Sequence, residues 1–141
     1  MGFGIKRTPG DIAFSKCVRE ANDYQCQSCG INLRHNPGSM DLSHYISRGN
    51  NSTRLHKDNG FCLCKGCHMK MGNDPHQHQV FVRSILGDAR YEMLMYQKQQ
   101  LFRLGKAQDK EAKAHYQAEL ERIEELRANG QRGYIDFMSW Q

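Results

Sequence analysis

A chain of 141 residues has the length of one domain, but 38% hydrophobic residues and a mean hydropathy of -0.79 leave it only a small apolar core, which six cysteines could help to brace. No apolar run approaches a membrane span and no charged-then-apolar leader opens the sequence, so a soluble, cytoplasmic protein with metal-bound thiolates is expected rather than a disulfide-bonded secreted one. The net charge of +5 is one-sided: residues 1–73 carry ten Lys/Arg against five Asp/Glu, while residues 74–141 carry ten of each. Such a basic half favours a polyanion such as a nucleic acid.

Met1–Gly10, with its glycines, basic residues and Thr-Pro-Gly, reads as a loose basic arm suited to a phosphate backbone. From Asp11 as N-cap, Phe14, Cys17, Val18 and Ala21 fall at helical spacing, predicting about three turns with Cys17 as a small buried hydrophobe. Cys26-Gln-Ser-Cys29 then forms a first Cys-x2-Cys knuckle. Met40 to Ile46 predicts a short strand with His44 near its end, 47–53 an exposed loop, and Arg54-Leu55-His56 a second short strand.

Cys64-Lys-Gly-Cys67 is the second knuckle, with a helix expected from about Cys64 to Gly72-Asn73. Two such knuckles make a tetrahedral four-cysteine zinc site of Cys26, Cys29, Cys64 and Cys67. Cys62, at Cys-x-Cys spacing from Cys64, is an alternative ligand or a strand-packing residue. His68 follows the closed zinc site and is left for other chemistry.

The second half reads as helical. Asp74-Pro75 caps a helix with Phe81, Val82, Ile85 and Leu86 as its stripe, closed by Gly87. Asp88 caps another, with Tyr91, Leu94, Met95, Leu101 and Phe102, up to Gly105. A third covers about 107–128, where Tyr116, Leu120, Ile123 and Leu126 make a narrow seam that permits a helical hairpin or a homodimer. Tyr134, Ile135, Phe137, Met138 and Trp140 make the tail too apolar to hang free. The expected division is therefore 1–73, holding arm, helix and metal-binding core, and 74–141, a helical extension packing on it. His35, His56, His76, His78 and His115 are expected to face solvent.

His44, Asn59 and His68 in that order, braced by two Cys-x2-Cys pairs, resemble the HNH or ββα-metal nuclease family in its zinc-knuckle form. Ser43-His44-Tyr45, Leu55, Asp58-Asn59, Gly72-Asn73 and Ile85-Leu86-Gly87 narrow the resemblance to the NinG-type recombination endonucleases of lambdoid phages, over roughly residues 14–95. The resemblance implies an α+β fold: a small ββα-metal HNH core stapled by zinc, with an N-terminal helix and a mainly helical C-terminal half. It implies metal-dependent hydrolysis of phosphodiester bonds, with branched recombination intermediates as substrates. The alternative is a non-catalytic zinc-knuckle accessory protein that binds DNA.

On that resemblance His44 is the general base, a neutral imidazole near pH 7 being able to take a proton from water. His68 holds a divalent ion, Mg or Mn, and Asn59 either ligates it or fixes the His44 ring. Arg48, Arg54, Lys57, Lys65 and Lys70 are expected to contact phosphates. The family pattern places Asp or a second His just before the base, where this chain has Ser43. The ion is thus expected to be underliganded, with Asp41, two residues back on the strand and about 6.6 Å away, as a substitute ligand. An aspartate at position 43 is expected to strengthen metal binding.

Overall fold

Thr8 opens the first helix of the computed structural model, which describes residues 6–141. Its hydroxyl accepts the Asp11 N–H (3.1 Å) while the Asp11 carboxylate accepts the Thr8 N–H (2.8 Å), and α1 runs Pro9–Ala21. This reciprocal cap, worth about 1 kcal/mol, wins over a cap at Asp11 itself because Pro9 is pre-set for the first helical position. Of the expected basic arm, residues 1–5 lie outside the described residues, and Pro9 and Gly10 already belong to α1.

β1 (Met40–His44) and β2 (Gly60–Cys64) form an antiparallel pair with register running from Met40↔Cys64 to His44↔Gly60. Gly60 is required there, since a Cβ would stand 2.7 Å from the Phe14 ring that packs over the strand start. The second strand is therefore not Arg54–His56, which is a turn. Phe61, Cys62 and Leu63 are all buried, and a strand buried on both faces lacks the alternation by which strands are read. α2 (Lys65–Asn73) follows at once.

α3 (Pro75–Lys98) is capped by Asp74, whose carboxylate accepts the Gln77 N–H at 3.1 Å, and it kinks at Gly87 (φ 79°, ψ 163°). It ends seven residues short of Gly105: Leu101 is fully exposed, and Phe102 packs edge-on against Trp140 instead. α4 (Lys106–Ala128) turns its seam, Ala112, Tyr116 and Ile123, onto the buried stripe of α1. The two form the most extensive contact between elements. The seam thus has its partner inside the chain, and no hairpin with α3 forms. Among the described residues, no helix is long and apolar enough to cross a membrane.

The tail docks, as its apolar content predicts. Ile135 N–H donates to the Ala21 carbonyl (2.9 Å), Ile135 and Phe137 are buried, and Trp140 N–H donates to the Tyr116 hydroxyl (2.9 Å). Farther on, Ser139 Oγ accepts the Lys57 N–H (2.9 Å) and Gln141 Oε1 accepts the Leu55 N–H (2.6 Å). The tail therefore straps the loop that joins β1 to β2.

That loop is also held from within. Asn59 is wholly buried; its Oδ1 accepts the Ile46 N–H (2.7 Å) and its Nδ2 donates to the carbonyls of Ile46 (3.0 Å) and Thr53 (3.1 Å). Arg54, expected on the DNA-facing surface, is buried instead, with Nε and Nη2 on the two oxygens of Asp11 at 2.9 and 2.5 Å. Burial raises the Asp11 pKa, but the Arg54 guanidinium and the Thr8 N–H overcome that and hold it below the usual carboxylate value. The stabilisation is full above the unfolded value and is lost as pH falls through the lowered folded one.

Arg54→Ala leaves Asp11 buried without its cation, so a loss of about 3–5 kcal/mol is expected. Denaturant unfolding at neutral pH measures it, and the difference from wild type should shrink below about pH 4 as Asp11 protonates.

Candidate functional site

The first knuckle reaches the second because Gln27 pairs with β2 through both its backbone and its side chain. Its N–H donates to the Cys62 carbonyl (2.8 Å) and its side-chain oxygen accepts the Cys62 N–H (2.8 Å). Upstream, Asp23 and Tyr24 take left-handed conformations (φ 55° and 54°) that turn the chain back after α1. The Asp23 carboxylate secures the turn by accepting from Gly133 N–H (2.9 Å), Arg34 Nε (2.7 Å) and Arg132 Nη2 (2.7 Å).

The outcome is a cluster in which the Sγ atoms of Cys26, Cys29, Cys64 and Cys67 all lie within 4.8 Å of one another. Cys29 and Cys64 Sγ are 3.8 Å apart, the edge of a tetrahedron with zinc–sulfur bonds of about 2.3 Å. The four can hold a zinc ion. Burial raises Cys26, but backbone N–H groups of Cys64, Cys29 and Ser28 outweigh it and bring that thiol down to about 7, whereas burial and the Cys64 thiol push Cys67 up to about 12. Cys62 is the strand-packing residue: wholly buried, outside the cluster, its thiol pushed up to about 12 by burial. Cys17 is buried in the same way.

His44 at the end of β1 and His68 in α2 line one cleft of about 360 Å³, together with Arg7, Asp11, Ser15 and Arg48. His44 Nε2 stands 2.9 Å from the Arg54 carbonyl. A carbonyl only accepts, so Nε2 carries the proton and Nδ1 keeps the lone pair. Burial lowers the His44 pKa against a smaller raising effect of that carbonyl, leaving the ring neutral at pH 7. His68 turns Nδ1 to Asp41 Oδ2 at 3.0 Å, and the other Asp41 oxygen takes Lys65 Nζ at 2.7 Å. Such an arrangement leaves His68 Nε2 as the nitrogen available to a metal.

Asn59 is not placed for either role considered for it. Its amide is spent on the backbone of Ile46 and Thr53, with no hydrogen bond to the His44 ring. Asp41, the expected substitute ligand, meets the ring of His68. Ser43 is 1% exposed and does not line the cleft, although Leu42 and His44 on either side of it do. An aspartate there would bury a carboxylate in the core instead of adding a ligand.

Among the cations expected at phosphates, Arg48 lines the cleft and Lys70 is exposed. Lys65 is bound to Asp41, and Lys57 is paired with Asp136 in the tail. Arg7, placed only generally in the basic arm, lies in the cleft. The Arg54 carbonyl was missed altogether, for a backbone group carries no signal in sequence. Of the five histidines expected in solvent, His35 and His76 are exposed. His56 Nδ1 accepts the Asp58 N–H (3.0 Å), His115 Nε2 meets the Met138 carbonyl (2.7 Å), and His78 packs edge-on against Tyr45 (4.9 Å) with Nε2 buried.

Among the described residues, a two-stranded antiparallel sheet, four helices and a four-cysteine cluster that can bind metal define a small mixed α+β protein. Within that class the chain belongs to the family described as bacteriophage lambda NinG protein, which matches residues 10–126. The match reaches most of α4, beyond the motifs that first pointed there. No curated protein and no solved structure matches the chain.

Since the cluster joins the segment after α1 to the β2–α2 junction, removing its metal should loosen the whole core. The purified protein is expected to contain one zinc per chain, and stripping it with a strong chelator should lower Tm by roughly 10 °C or more. Elemental analysis and a melting curve with and without chelator check this.

Proposed function

We propose that the protein is a metal-dependent DNA endonuclease of the HNH type that hydrolyses phosphodiester bonds, acting on branched recombination intermediates. The observation that carries this reading is that His44 and His68, from the strand and the helix of a ββα unit, line one cleft with Arg7 and Arg48. A carbonyl holds His44 in a single tautomer, and burial keeps it neutral. Membership of the NinG family supports the link to phage recombination.

In this reading His44 Nδ1 takes the proton from a water molecule as that water attacks phosphorus, while Nε2–H remains on the Arg54 carbonyl and keeps the ring from turning. Arg7 and Arg48 hold the phosphodiester by its charged oxygens. His68 would hold Mg or Mn through Nε2, steadied by Asp41 at Nδ1. The ion would supply charge neutralisation at the scissile phosphate and the leaving oxygen. Among the described residues, no group of three His, Cys, Asp or Glu beside the four cysteines comes close enough to hold an ion. Water and the DNA phosphate would complete the coordination, so the ion is expected to bind firmly only with DNA present.

His44→Ala should lower the nicking rate on supercoiled plasmid by roughly 10²–10⁴-fold while leaving DNA affinity unchanged in a gel shift. Because the His44 pKa lies below its ordinary value, wild-type cutting should stay flat from pH 8 down to about 6.5 and decline only at lower pH. Cutting by the alanine variant at the wild-type rate would rule out this assignment. Absence of cutting by the wild type, with DNA bound, would leave the non-catalytic DNA-binding reading.

A further inference from the structure

The cleft of His44 does not end at Arg7. The same arginine lines a second groove, of about 570 Å³, where the first turns of α1 and α4 meet; Lys6, Lys106, Lys110 and Lys113 line it as well. On the other flank His44 and Ser47 are shared with a third depression of about 600 Å³ that reaches Asn50, His78 and Lys98. Neighbouring depressions thus share lining residues, Arg7 between the first two and His44 and Ser47 between the first and third, with five cations at one end.

The placement of charge along α4 is uneven. Lys106, Lys110 and Lys113 stand at i, i+4 and i+7, one helix face, whereas Glu119, Glu121, Glu124 and Glu125 all belong to the later turns. Glu111 is the exposed acid of the early turns. The other acid there, Asp109, is buried and turned inward: its carboxylate accepts the Thr8 hydroxyl (2.5 Å) and the Gly10 N–H (3.1 Å). It lines the groove too, but its oxygens are spent on the start of α1, and five cations surround it. Gly10 permits this approach, for a Cβ there would collide with the Asp109 side chain.

We infer that Lys106, Lys110 and Lys113, with Lys6 and Arg7, form a phosphate-binding groove continuous with the His44 cleft, so that DNA entering the cleft also runs along the first turns of α4. Charge complementarity selects the occupant, a nucleic-acid backbone. The inference rests on the reading of the cleft as a DNA site and extends its footprint into the half of the chain whose net charge is zero.

The test is duplex binding by fluorescence anisotropy without added divalent ions, across a series of salt concentrations. It compares wild type with Lys106→Ala/Lys110→Ala/Lys113→Ala and with the corresponding triple arginine variant. Three phosphate contacts contribute about 0.9 each to the slope of log affinity against log salt, so the alanine variant should lose roughly 2.7 of the slope. Over a fourfold rise in salt, wild type should then weaken roughly 40-fold more than the alanine variant. The arginine variant should keep the wild-type slope. Should the triple alanine variant melt early, Lys106→Ala/Lys110→Ala, at two exposed positions, should still lose about 1.8. A folded alanine variant with the wild-type slope overturns the groove. Plasmid nicking with Mg is read separately: a lysine-dependent slope without nicking keeps the groove and removes the nuclease, and nicking with an unmoved slope does the reverse.

Discussion

The side chain of Asn59 closes the loop between the two strands, and the candidate site depends on that closure. Three hydrogen bonds from one buried amide satisfy Ile46 on both its backbone groups and Thr53 on its carbonyl. Without them those groups would be buried unpaired at about 1–3 kcal/mol each. Arg54 follows Thr53 directly, and its carbonyl is the group that meets His44 Nε2. Its side chain is pinned to Asp11 at the start of α1. Tyr116 of α4 donates to the next carbonyl, that of Leu55, at 2.5 Å, and Gln141 takes the Leu55 N–H. A loop of irregular backbone thus acquires the fixed geometry that a base requires, through contacts to α1, α4 and the last residue of the chain.

Two fixed points therefore bracket the hairpin. At one end of β2, Cys64 joins Cys67 of α2 and the first knuckle in a cluster able to hold zinc; at the other end Gly60 follows Asn59 and faces His44 across the sheet. The cysteines set where α2 starts, and so where His68 stands relative to β1. Only a short hairpin separates the two devices. The proposed chemistry draws one histidine from each end of the hairpin, His44 beside the buried ion pair and His68 beside the cysteine cluster.

What sequence disclosed was local. The α1 stripe, Asp74-Pro75, the break at Gly87 and each Cys-x2-Cys pair depend on neighbours a few residues away, and they appear in the structure where the pattern puts them. What it concealed was long-range. Arg54 and Lys70 are indistinguishable as cations until Asp11, 43 residues before Arg54, is seen to bury the first. Ser43 is read as a vacated ligand position only until the strand's burial turns it inward, since strand parity is fixed by pairing rather than by composition. Phe61-Cys62-Leu63 hid β2 because a run buried on both faces does not alternate. The early lysines of α4 went unremarked because the acids of its later turns cancel them in any sum over the half.

The fold holds His44 as a neutral imidazole with its proton on Nε2 and its lone pair on Nδ1. Nitrogen chemical shifts of histidine labelled with ¹⁵N, assigned to His44 by comparison with His44→Ala, report tautomer and charge directly. At pH 7 the account predicts a neutral ring in the Nε2–H form, with a titration midpoint below about 6.5. A ring protonated at pH 7, or one carrying its proton on Nδ1, would contradict it.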